Sequence, residues 1–127
     1  MKRNIEKFDV YRYAMQLTKE VYSITADLPY FEKSKGIVGQ MTSSTVSVVS
    51  NIVEGAGRES EKEFLRFLEI ARGSLAESKA QLEICHTVGY ISEEKYEEML
   101  QLYDRVGRLL HGLRKSVEGG NKTAKRK

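Results

Sequence analysis

Between Gly36 and Gly57 the chain reads GIVGQMTSSTVSVVSNIVEGAG, and Glu54 is its lone ionisable side chain. Charged residues make up 31% of the whole sequence, so a segment that avoids charge for this long is built to lose water on most of its circumference. It is too polar to span a bilayer, because Gln40, Thr42, Ser43, Ser44, Thr45, Ser47, Ser50 and Asn51 interrupt it. Two elements of the same chain, or one element and a neighbouring copy, must cover it. The β-branched alternation Thr45-Val46-Ser47-Val48 is brief. Val38, Met41, Thr45, Val48, Val49, Ile52 and Ala56 instead follow helical i, i+3, i+4 spacing, which predicts a helix over about 35–56. Ser, Thr and Val are mediocre helix formers, so this helix depends on packing from both sides.

Three more helices flank it. Val10, Ala14, Leu17, Val21, Ile24 and Leu28 form a seam over about 9–28, with Asp9 as candidate N-cap and Pro29 as the stop. Ser34 is a candidate cap for the central helix, and the glycines at 55 and 57 are candidate C-caps. Ser60-Glu61-Lys62-Glu63 fits a capping box, in which the Glu63 carboxylate reaches back to the Ser60 amide. A helix over about 61–87 follows, with Phe64, Leu68, Ala71, Leu75, Ser78, Leu82 and Cys85 as its seam and Gly89 as its end. Ser92 caps a last helix over about 93–117, with Tyr96, Met99, Tyr103, Val106, Leu110, Leu113 and Val117 facing inward. Gly119-Gly120 is expected to end the fold. Four helices with short links predict an all-α, antiparallel up-down-up-down four-helix bundle over 1–117.

Charge then limits the function classes. Lys122, Lys125, Arg126 and Lys127 against Glu118 account for the whole formal charge of +3, leaving 1–117 balanced. The basic character belongs to 118–127, expected to be a disordered tail that either solubilises the chain or contacts nucleic acid. No apolar run follows Met1, and a single cysteine, Cys85, leaves no internal disulfide, so a reducing cytoplasm and no membrane are expected.

Little catalytic chemistry is visible. His86 and His111 lack metal-ligand spacing, and no Ser, His and acid arrangement suggests nucleophilic catalysis. Gly55-x-Gly57-Arg58 follows a helix rather than a strand and reads as a turn, not a phosphate loop. No cofactor, no metal and no enzyme are expected. Glu54 is the exception in its helix. A buried carboxylate needs partners, and Ser50, Asn51, Arg58 and Arg72 are the candidates for a structural polar network around it. Arg58, Lys62, Arg66 and Arg72 also place cations along the start of the third helix, interleaved with Glu59, Glu61, Glu63 and Glu69. They are the candidate nucleic-acid-binding residues of the body, with Lys122, Lys125, Arg126 and Lys127 those of the tail.

The run from Ser50 to Arg58, SNIVEGAGR, followed by Glu63 to Glu77, EFLRFLEIARGSLAE, resembles the bacterial 23S rRNA intervening sequence proteins, some of which are encoded inside insertions in the large ribosomal RNA gene. The likeness runs from about Phe8 to Val117 and includes Gly89-Tyr90-Ile91-Ser92. It implies a left-handed bundle assembled as a ring-like homopentamer. It also implies kinship with the accessory variability protein of diversity-generating retroelements, a basic pentamer that binds reverse transcriptase and nucleic acid. Met41, Thr42 and Ser43 follow Gln40 where family members commonly carry two arginines, and Val49 stands where a proline is often found. That departure points to a helix buried between subunits, with Val38, Met41, Thr45, Val48, Val49 and Ile52 as the expected interface. The expected function is a non-enzymatic accessory associated with nucleic acid, ribonucleoprotein or a nucleic-acid enzyme. The alternative is a protein-interaction scaffold that binds no nucleic acid.

Overall fold

A computed structural model describes residue 5 and residues 8–126, with side chains as far as Gly119. Every regular element among them is helical: α1 (Asp9–Ala26), α2 (Tyr30–Ser34), α3 (Ile37–Ala56), α4 (Glu61–Thr87) and α5 (Glu93–Arg126). The chain is all-α. The four long helices answer the four predicted ones, and α2 is an addition.

Local chemistry explains most of the boundaries. Asp9 is the first helical residue of α1 rather than its cap, and it holds Arg12 one turn on. Pro29 does not merely stop α1; it is the N-cap of α2, where its fixed φ is an asset and its missing N–H costs nothing. Ser34 does not cap α3, because its hydroxyl turns back to the Phe31 carbonyl. Glu32 does that work, its Oε1 accepting the Ile37 amide at 3.0 Å. At α4 the Ser60 hydroxyl accepts the Glu63 amide at 3.0 Å. The Glu63 carboxylate, expected to return to the Ser60 amide, accepts Arg66 Nε instead. α4 closes in a Schellman motif: Gly89 takes φ +88°, its amide donates to the His86 carbonyl, and Tyr90 N donates to Cys85 O at 2.8 Å. The Ser92 hydroxyl then caps α5 by accepting the Lys95 amide at 3.1 Å.

The last helix is longer than expected. Instead of ending near Val117, α5 continues through Gly119-Gly120 to Arg126. A glycine inside a helix costs only about 1 kcal/mol against alanine, and no proline follows to enforce a stop.

The long helices pack as a closed set, α1 and α4 each lying against both α3 and α5, with α2 laid on α3. Side-chain pairs fix the directions. Ser44, Thr45 and Ser47 meet Gln81, Ser78 and Ser74 in turn, so α3 and α4 are antiparallel. Ser78 meets Tyr103 while Glu69 meets Arg114, so α4 and α5 are antiparallel too. Leu17, Val21, Met41, Val48, Ile52, Phe64, Leu68, Leu82, Met99, Val106 and Leu110 are sealed between them. This overturns part of the expected subunit interface. Met41, Thr45, Val48 and Ile52 are buried in the chain's own core, and Val38 and Val49 are half-buried against it. A periodic apolar stripe states that a face is covered, not which chain covers it.

Candidate nucleic-acid interface

The predicted cations do not form one stripe. Arg58, just past α3, and Arg66, on α4, place their guanidinium carbons 4.9 and 4.6 Å from the centroid of the Phe67 ring, while Arg58 pairs with Glu54 and Arg66 with Glu63. Arg72 sits elsewhere on α4, a helical turn and a half beyond Arg66, and meets α5. There Arg72, Lys79, Arg108 and His111 line a groove of about 360 Å³ whose floor is Leu75, Ala76, Tyr103 and Gly107. Asp104 is the acid of its lining, and it pairs with Arg108 at 3.1 Å. At the groove's end Glu69 accepts from both Arg72 and Arg114, and these contacts, Arg72 foremost, hold its carboxyl below the usual range. Arg114 also reaches Glu118, while its Nε is buried without a partner among the described residues. The glutamate thus holds two guanidinium groups in place, and Lys79 is an exposed cation farther along the groove. Lys62 is exposed and belongs to neither cluster. The side chains of Lys122, Lys125, Arg126 and Lys127 lie outside the described residues.

A larger groove of about 560 Å³ runs between α1 and α5, but its charges cancel. Lys95 pairs with Glu20 at 3.0 Å, Arg105 lies over the Tyr13 ring, and Arg108 pairs with Asp104, with Glu98 balancing the remainder. The α4/α5 groove is the one that keeps an excess of positive charge.

The polar network also lies elsewhere than expected. Glu54 and Arg58 do pair, at 2.8 Å, but with 57% and 43% of their side chains exposed they form a surface pair and not a buried charge. Ser50 is exposed, Asn51 bonds back to Ser47, and Arg72 serves Glu69. The buried network is neutral and runs across three helices. Thr45 Oγ1 donates to the Met41 carbonyl at 2.7 Å, so it can only accept from Ser78, 2.7 Å away. Ser78 has then spent its hydrogen and must accept from the Tyr103 hydroxyl at 2.5 Å. The order is forced: Tyr103 to Ser78 to Thr45 to the backbone. Burial foremost pushes the Tyr103 phenol up to about 12. Ser44 adds a bond to Gln81 at 2.7 Å. The serines and threonines of α3 and Ser74, Ser78 and Gln81 of α4 are its sequence signal, less conspicuous than a lone carboxylate.

α3 keeps an open side that carries no charge before Glu54. Gly39, Gln40, Ser43, Val46, Ser50 and Val53 are exposed along it, and Ile70, Gly73 and Ile84 are exposed on the adjoining side of α4. His86 is half-buried, stacked on Tyr96 at 4.0 Å and bonded to Glu93 at 2.5 Å. Among the described residues no group of three or more His, Cys, Asp or Glu side chains is placed to hold a metal ion, and no helix is long and apolar enough to cross a membrane.

Comparisons with known proteins agree with this architecture. One solved structure, a protein of unknown function from the S23 ribosomal protein family of Bacteroides thetaiotaomicron, superposes with a TM-score of 0.77 at 24% identity, over 84% of this chain and 98% of its own. No curated protein matches the chain. The family model for the 23S rRNA-intervening sequence protein matches residues 6–112, which takes in all of α1 to α4 and most of α5, and the chain belongs to that family.

Proposed function

We propose that this protein is a non-enzymatic accessory that binds nucleic acid or a ribonucleoprotein, built as an up-down-up-down four-helix bundle and assembled as a ring-like homopentamer in the cytoplasm. The observation that carries the binding half is the α4/α5 groove. Its cations come from two helices, are held in register by Glu69 and Asp104, and exceed the acids beside them. Phosphates spaced along a backbone meet such a surface by releasing counterions, which makes binding sensitive to salt. In a ring the groove repeats, and modest single contacts sum.

The open side of α3 supports the assembly half. Val46 and Val53 with Ile70 and Ile84 leave apolar side chains exposed along α3 and α4, and α3 carries no charge before Glu54, which suits contact between copies better than open water. Light scattering at micromolar concentration is expected to give a pentamer mass; a monomer would end that half. For binding, labelled RNA and DNA are titrated at 50 and 200 mM salt. The expected result is a shift that weakens steeply with salt, and a smaller salt slope for Arg72→Gln/Arg108→Gln. The absence of binding at low salt would favour the rival, a protein scaffold whose partners survive nuclease treatment.

A further inference from the structure

The most exposed aromatic rings of the described chain belong to consecutive residues at the corner between α1 and α3. Tyr30 is 81% exposed and Phe31 66%, on a helix of only five residues. Leaving a phenylalanine in water forfeits the burial that every other described phenylalanine of the chain obtains at least in part. The charges around the rings are sorted. Glu32, between Phe31 and Lys33, has both carboxylate oxygens occupied: Oε1 accepts the Ile37 amide at 3.0 Å and Oε2 accepts the Tyr90 hydroxyl at 2.6 Å. These bonds, the Tyr90 hydroxyl foremost, hold it below the usual carboxylate range. Lys33 and Lys35 are exposed and have no ion-pair partner among the described residues.

The corner is also anchored. Pro29 fixes the entry to α2, and the Glu32 bonds tie it to the start of α3 and to the α4–α5 turn. Gly36 makes the tie possible, since a Cβ there would stand 1.9 Å from Glu32 Oε1. Two exposed rings on an anchored corner, with unpaired ammonium groups within a turn, match the requirements of stacked bases with flanking phosphates.

We propose that the Tyr30–Lys35 corner is a stacking platform for unpaired bases of a single-stranded nucleic acid, with Tyr30 and Phe31 supplying the ring faces and Lys33 and Lys35 contacting the phosphates. This rests on the nucleic-acid reading above and narrows it to unpaired strands. A duplex keeps its base faces covered and gains nothing from exposed rings. A purely electrostatic partner would need the lysines and not the aromatics.

The sequence contains no tryptophan, so Phe31→Trp places a single indole on the platform of the full-length chain. Titration with oligo-dT and oligo-U is expected to quench it, while a duplex of equal length leaves it unchanged. Tyr30→Ala/Phe31→Ala is expected to weaken single-strand binding by about tenfold or more, with duplex binding unaltered. Equal losses for both forms, or no loss for the single strand, would overturn the platform while leaving the α4/α5 groove intact. No binding of any nucleic acid by the unmodified protein would remove both. A changed oligomer mass for the double alanine variant would assign the rings to contact between copies and overturn the proposal.

Discussion

At the scale of single residues, the forced direction of the Tyr103–Ser78–Thr45 chain makes its members unequal. Removing the Tyr103 hydroxyl takes away one donor and still leaves Ser78 bonded to Thr45. Removing the Ser78 hydroxyl strands a buried phenol and an acceptor together. Ser78→Ala is therefore expected to cost roughly 1–3 kcal/mol and Tyr103→Phe about 1, with the double substitution costing less than their sum. Urea unfolding of the four proteins measures this; additivity would show that the chain is not coupled. The same phenol has an alkaline signature. Its pKa is raised on folding, so its stabilising contribution is complete below the unfolded value of about 10 and is lost as the pH climbs to about 12. The unmodified protein should lose stability across that window more steeply than Tyr103→Phe.

At the scale of elements, α3 and the start of α4 meet tightly at Gly55. A Cβ there would lie 2.7 Å from Phe67 Cβ and 3.0 Å from Phe64 Cδ1, and neither neighbour is the free end of a flexible chain. Gly55→Ala gains about 1 kcal/mol of helix propensity and incurs overpacking of roughly 1–3 kcal/mol, so thermal melts should show net destabilisation. Ser60→Ala, which removes the cap of α4, should cost about 1 kcal/mol. The long helices were legible because their seams repeat over many turns and end at Ser60, Gly89 and Ser92. α2 was not legible, because five residues are too few to show a period and Pro29 reads equally as an end or a beginning. The groove was half legible. Arg72 was visible, but its neighbours Lys79, Arg108 and His111 join it through antiparallel packing, which spacing along one helix does not encode. The buried network failed for a different reason: a neutral hydroxyl chain is inconspicuous beside a lone glutamate, yet a carboxylate is the group that solvent retains most strongly.

At the scale of the whole molecule, the open side of α3 separates a solitary bundle from an assembled one. Val46→Asp and Ile84→Asp each place a charge where the isolated chain exposes an apolar side chain. On a free surface such changes stay within about 0.5 kcal/mol. Between copies they bury an unpaired charge, so light scattering is expected to show a lower mass with the helical content retained. An unchanged mass would move the contact to another face. Cys85 supplies a last means of interrogating the chain. It is 1% exposed, and burial foremost keeps its thiol above the usual cysteine range. A maleimide or disulfide reagent should therefore find nothing to modify until the core around Cys85 opens, which turns the native sulfur into a clock for opening. The same silence allows a spin label or fluorophore to be attached through a cysteine introduced at the surface, without first deleting the one the protein already carries.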